Sequence, residues 1–77
     1  QDSLWKRVIT AKRSVLDVFT ARPDKAFRAS QVWQAYTGLC GEAEFAHEEN
    51  QLDEETVRLL EEYAEKVIQS WKKENNK

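Results

Sequence analysis

The chain has 77 residues and a net charge of −2. Its 40% hydrophobic and 34% charged residues indicate one folded helical domain and exclude a chain that is disordered as a whole. A single cysteine excludes an internal disulfide framework and predicts a reducing intracellular compartment, cytoplasmic or nuclear. The sequence contains neither an apolar run of membrane-spanning length nor a signal peptide, so we expect no membrane association. Because residue 1 is Gln rather than Met, we expect the single domain, 1–77, to be excised from a larger protein.

A first helix is predicted over about 4–20, with Asp2 or Ser3 as its N-cap. Its apolar residues share one half of the helical wheel, so we expect that half to face the core. The helix should end before Pro23, since the residue preceding a proline is disfavoured in helical conformation. The apolar set is Leu4, Trp5, Val8, Ile9, Val15, Leu16 and Phe19.

Lys12 lies inside the apolar arc of this first helix, where an unpaired buried ammonium group would be costly. One interpretation is that its stem packs on the core while its charge reaches water or a glutamate of the third helix. The other is that the arc is not wholly core and that Lys12 lies at a groove for a partner. We favour the first, because single lysines are common in wide apolar stripes, and keep Lys12 as a candidate partner-binding residue.

A short connector precedes the second helix, and Phe27 is its expected anchor in the core. Ser30 has the position and chemistry of an N-cap, so the second helix is predicted over 30–39. Gly38 and Gly41 each disfavour a helix interior by roughly 1 kcal/mol relative to Ala, so we expect one of them to end the helix in a left-handed turn. The residues expected to point inward are Val32, Trp33, Tyr36 and Leu39.

The segment 42–51 is rich in glutamate and supports two interpretations. The interpretation that we prefer is a short fourth helix over about 42–48 followed by a loop, because this segment contains Ala43, Phe45 and Ala46. The other is a mobile acidic loop throughout.

The third helix is predicted over 54–73, with Asp53 as N-cap and Leu52 packing back onto the first turn. Together with the first two helices it predicts an all-α bundle of three main helices. The tryptophans, one on each apolar stripe, are expected in the core, with Trp5 as an alternative partner anchor. The stripe of the third helix is Val57, Leu60, Tyr63, Ala64, Val67, Ile68 and Trp71.

The run Ala64-Glu65-Lys66-Val67-Ile68-Gln69-Ser70-Trp71-Lys72-Lys73 resembles the last helix of the N-terminal domain of transcription elongation factor S-II. In that family the domain is a helical module that binds disordered motifs in other transcription factors. The resemblance therefore implies a protein-binding role. It covers this one helix and is not a family assignment.

Catalytic and metal-binding constellations are weakly represented. His47 is the only histidine, and Glu44-x-x-His47 is half of a carboxylate di-metal motif whose second copy the chain lacks. Cys40 and His47 could in principle form a nucleophile and base, but no orienting group is evident, and Cys40 fits a small buried hydrophobe. We therefore expect no enzyme activity, no cofactor and no metal.

Charge divides the chain into a basic and an acidic half. Residues 1–41 hold seven Lys/Arg and three Asp, whereas 42–77 hold five Lys/Arg and eleven Asp/Glu. This division is compatible with a basic face that binds an acidic partner. It is equally compatible with two solvated faces that differ in sign and bind nothing. The candidate partner-binding residues are Lys6, Arg7, Lys12, Arg13 and Arg28.

Together these features predict a protein-protein interaction module, namely a helical adaptor that binds a short segment of another protein, which can be acidic or phosphorylated. The sequence is also compatible with a homo-oligomer. The alternative function is a winged-helix or helix-turn-helix-like domain that binds nucleic acid through the basic face of the first helix. It is less favoured, because the segment after the second helix is acidic and the pI is about 5.4.

Overall fold

Three helices make up nearly all of the chain that the computed structural model describes, namely residues 2–21, 27 and 30–74. No strand occurs within those residues, which confirms the predicted all-α class. Nor does this part of the chain contain a helix long and apolar enough to cross a membrane. The helices are α1 (Asp2–Ala21), α2 (Gln31–Glu48) and α3 (Glu54–Glu74).

Helix α1 begins earlier than predicted. Asp2 and Ser3 are already helical, so the expectation that one of them is the N-cap is wrong. Leu4 and Trp5, in the first turn, pack against the core, and this contact holds the turn in helical conformation without a cap at either position. The described helix reaches Ala21, and the predicted end before Pro23 concerns residues outside the described part of the chain.

Helix α2 is continuous through both glycines. The predicted end near residue 39 and the separate helix over 42–48 are therefore wrong, and neither glycine has a positive φ. The physical reason is burial, since Tyr36, Cys40 and Ala43 lie on one face that spans both glycines and packs into the core. Packing of that face outweighs the local preference of glycine to leave a helix.

The left-handed residue that ends α2 is Asn50, with φ of 57°. Its N–H donates to the carbonyl of His47 (3.1 Å), and the N–H of Gln51 donates to the carbonyl of Ala46 (2.7 Å). This pair of hydrogen bonds is the Schellman arrangement, which satisfies carbonyls that the helix leaves unpaired. Asparagine serves because it tolerates the left-handed region better than other residues with a side chain.

Two side chains cap the N-termini of the other helices, as predicted. Ser30 Oγ accepts a hydrogen bond from the N–H of Trp33 (3.3 Å) at the start of α2. Asp53 Oδ1 accepts from the N–H of Thr56 (2.9 Å) at the start of α3, and Leu52 just before it is buried. The two N-caps and the start of α3 at residue 54 are confirmed.

The core lies where α3 packs against both other helices, which contact one another much less. An aromatic cluster is centred on Phe19, whose ring lies 5.7 Å from that of Phe27, 4.8 Å from that of Trp33 and 5.9 Å from that of Trp71. Phe27 is 2% exposed, as expected of the connector's anchor. Of the three tryptophans, Trp71 is buried, whereas Trp5 and Trp33 are only partly buried.

Candidate functional site: a groove between α1 and α2

Helices α1 and α2 are antiparallel and touch at both ends. Trp5, near the start of α1, stacks on His47 near the end of α2, with ring centroids 4.0 Å apart and planes 6° from parallel. Phe19, near the end of α1, packs against Trp33 near the start of α2. Since α3 covers only one side of this pair, the space between the two contacts is left uncovered.

That space is an open groove with a cavity volume of about 490 Å³. On α1 it reaches from Ile9 to Phe19, which corresponds to about 15 Å of helix at 1.5 Å per residue. Its size lies within the range of ligand-binding clefts in proteins. The lining residues are Ile9, Lys12, Arg13, Val15, Leu16 and Phe19 of α1 and Trp33, Tyr36, Thr37 and Cys40 of α2.

Two residues of the α1 stripe do not face the core. Ile9 is 40% exposed and Leu16 is 64% exposed, whereas Val8 and Val15 beside them are buried. The expectation that the whole stripe is core is therefore wrong for Ile9 and Leu16. The apolar arc of α1 is wider than the face covered by α3, and the surplus forms one wall of the groove. The width of the arc is the signal in the sequence that could have revealed this.

Tyr36 and Cys40 form the floor of the groove and carry no charge near neutral pH. Burial raises the pKa of the Tyr36 hydroxyl, and a side-chain interaction with Cys40 raises it further. Burial likewise raises the pKa of the Cys40 thiol. The floor is thus apolar in character, and Cys40 is a buried small hydrophobe rather than an activated nucleophile.

Among the described residues that line the groove, only Lys12 and Arg13 are charged. Lys12 Nζ lies 2.6 Å from Glu44 Oε1, so its partner is on α2, whereas the sequence predicts water or a glutamate of the third helix. Hydrogen bonding to Lys12 lowers the pKa of Glu44. The side chain of Lys12 thus lines the groove while its ammonium group is paired with Glu44.

Arg7 lies on the α3 side of α1 and is not part of the groove lining. Its guanidinium donates to both carboxylate oxygens of Glu54 (2.9 and 2.8 Å) and to both of Glu61 (3.2 and 2.6 Å). Hydrogen bonds to Glu61 and Glu54 raise the pKa of Arg7 above its usual range. Lys6 is exposed on α1, and Arg28 lies outside the described residues. Of the four candidate residues that the structure describes, the groove brings together Lys12 and Arg13.

The candidate metal and catalytic residues have structural partners. Glu44 is paired with Lys12, and His47 is stacked on Trp5. Within the described residues, no group of three or more His, Cys, Asp or Glu side chains could hold a metal ion.

No family model, curated protein or solved structure matches this chain.

Proposed function

We propose that this chain is a non-catalytic protein-interaction module whose groove binds a short segment of another protein. The observation that carries the proposal is the exposure of Ile9 and Leu16 in a concave, apolar surface next to the core. Apolar side chains that line a groove while exposed to water are typical of binding sites.

The shape of the groove favours a helical segment as its occupant. Its walls are two antiparallel helices bridged at both ends, and about 15 Å of open length accommodates roughly ten residues of a further helix. Such a helix would present apolar anchors at i, i+3 or i+4, and i+7, the spacing that is used when helices bind in grooves. Bound there, it would add a fourth helix to the bundle and cover Leu16.

The charge of the groove favours an acidic or phosphorylated occupant. Lys12 and Arg13 line it, none of the described lining residues is acidic, and Glu44 approaches it through its ion pair with Lys12. Lys6, exposed and seven residues before Arg13, lies on the same side of α1 and adds to the positive potential there. Such charges steer encounter and select partners more than they add affinity.

The same observations give less support to nucleic-acid binding. Arg7, expected to belong to the basic face, is paired with Glu54 and Glu61, which offset its charge. Among the described residues this leaves Lys6 and Arg13 as the exposed basic residues of α1. Two cations are few for an interface whose affinity depends on the number of phosphates neutralised.

The proposal is tested with peptides selected from a random display library against the wild-type domain. We expect Leu16→Glu to weaken the selected peptides by at least about tenfold, because it places a charge in the contact that a buried leucine would make. Phe45→Glu is the matched control, since Phe45 is 65% exposed on α2 but does not line the groove. It should leave affinity within about twofold, measured by fluorescence anisotropy.

Circular dichroism of both variants establishes that they remain folded. Equal affinities of wild type and Leu16→Glu, or an equal loss in Phe45→Glu, would place binding outside the groove and contradict the proposal. Titration with duplex DNA at low salt tests the other class, because electrostatic binding is strongest there.

A further inference from the structure

We propose that the occupant of the groove carries a carboxylate group that replaces Glu44 as the partner of Lys12. Glu44 then competes with the occupant in the free domain and sets its affinity. This inference rests on the proposed function and deepens it, because it names an internal competitor and the position of the occupant's acidic group.

The Lys12–Glu44 pair joins the two walls of the groove. Lys12 belongs to α1 and lines the groove, whereas Glu44 reaches it from α2, with 2.6 Å between Nζ and Oε1. The side chains are 37% and 51% exposed, so water reaches both partners of the pair. Ion pairs in such surroundings contribute little to stability, and one carboxylate can be exchanged for another at small cost.

Arg13 provides the second half of the anion site. It is exposed, lines the groove beside Lys12 and, within the described part of the chain, forms no ion pair. An incoming anion would therefore meet one uncompensated guanidinium group and one ammonium group whose present partner is displaceable. Fixed cations at one place in an apolar groove select where along the occupant its acidic residue must lie.

The position of Lys12 on α1 gives the register. Ile9 is three residues before it and Leu16 four residues after it, so all three lie on one face of the helix. An acidic group bound at Lys12 is consequently within about one helical turn of the anchors that contact Ile9 and Leu16. The recognised segment has an acidic residue adjacent to its apolar stripe and not at a distant end.

The test uses a peptide selected against the wild-type domain together with its amide version, in which the acidic residue is replaced by Gln or Asn. Glu44→Gln should tighten binding of the acidic peptide about two- to fivefold, the range expected for an exposed ion pair, and leave the amide peptide unchanged. In a Lys12→Met background the gain from Glu44→Gln should disappear. Glu48→Gln, an exposed glutamate of α2 outside the groove lining, controls for the change in net charge.

Several outcomes would overturn the inference. These are an unchanged or weakened affinity of Glu44→Gln for the acidic peptide, an equal gain for the amide peptide or in Glu48→Gln, and selected peptides that contain no acidic residue. If Leu16→Glu abolishes binding while Glu44→Gln has no specific effect, the groove is a binding site and only this inference fails. If Leu16→Glu has no effect, the proposed function fails with it.

Discussion

Asp53 shows how one side chain sets both the start of a helix and its response to pH. Its carboxylate accepts the N–H of Thr56 at 2.9 Å, a donor that α3 would otherwise leave unpaired. The side-chain hydrogen bond with Thr56, then the backbone one, hold the pKa of Asp53 below its usual range. The ionised form is therefore bound more favourably in the folded state than in the unfolded chain.

The sign of this pKa shift predicts how stability depends on pH. A lowered pKa contributes stability that is fully present above the usual aspartate value of about 4 and is lost as the pH falls through the folded value. We expect the urea midpoint of the wild type to fall on acidification below about pH 5. Asp53→Asn keeps a capping oxygen but cannot titrate, so its midpoint should fall less over the same interval. Parallel curves for the two proteins would contradict this account.

The side chains whose partners lie close in sequence were the ones that could be predicted. Ser30 and Asp53 each cap a donor three residues ahead, so the pattern of residues is enough to identify them. Arg7 pairs with residues 47 and 54 positions away, and Lys12 with one 32 positions away. Such pairings depend on which helices become neighbours, which the spacing of residues within one helix does not specify.

At the scale of an element, α2 is the instructive case. Its glycines are helical and exposed. A Cβ atom added at Gly38 or Gly41 would meet no atom within 4 Å beyond its chain neighbours and the backbone of its own helix. Their conformational freedom therefore serves no contact that the structure shows. Local propensity indicated a break here, and it was overridden by burial of the face that carries Tyr36, Cys40 and Ala43.

Replacing these glycines with alanine should stabilise the domain. Gly38→Ala and Gly41→Ala are each expected to raise the free energy of unfolding by about 0.5–1 kcal/mol, because alanine loses less backbone entropy in a helix. Chemical denaturation monitored by circular dichroism measures this.

Asn50→Ala provides the opposite control, since alanine tolerates the left-handed φ of 57° at that position less well than asparagine does, and it should destabilise the domain. A destabilising effect of both glycine substitutions would mean that α2 is not a continuous helix.

At the scale of the whole molecule, α3 holds the bundle together. It packs against both other helices, and Val57, Leu60 and Val67 on its inner face are fully buried. This arrangement was predictable in kind, because a long amphipathic stripe has to bury one face. The groove was not, since it depends on how far apart α3 holds α1 and α2.

Two adjacent leucines of α3 allow a matched test of this role. Leu60 is fully buried and Leu59 is 40% exposed. We expect Leu60→Ala to lower the free energy of unfolding by about 2–5 kcal/mol, a large part of the roughly 4–12 kcal/mol expected for a domain of this size. Leu59→Ala should cost far less, as measured by urea denaturation. Similar losses in the two variants would contradict the assignment of α3 as the central helix.

The division of the apolar arc of α1 also bears on how this protein can diverge. Val8 and Val15 are held apolar by the fold, whereas Ile9 and Leu16, their immediate neighbours, are not. Polar replacements at positions 9 and 16 would leave the fold intact. Such mutations are therefore tolerated unless binding of an occupant requires apolar side chains there. In a descendant that lacks the proposed occupant, positions 9 and 16 should become polar first, while positions 8 and 15 stay as they are.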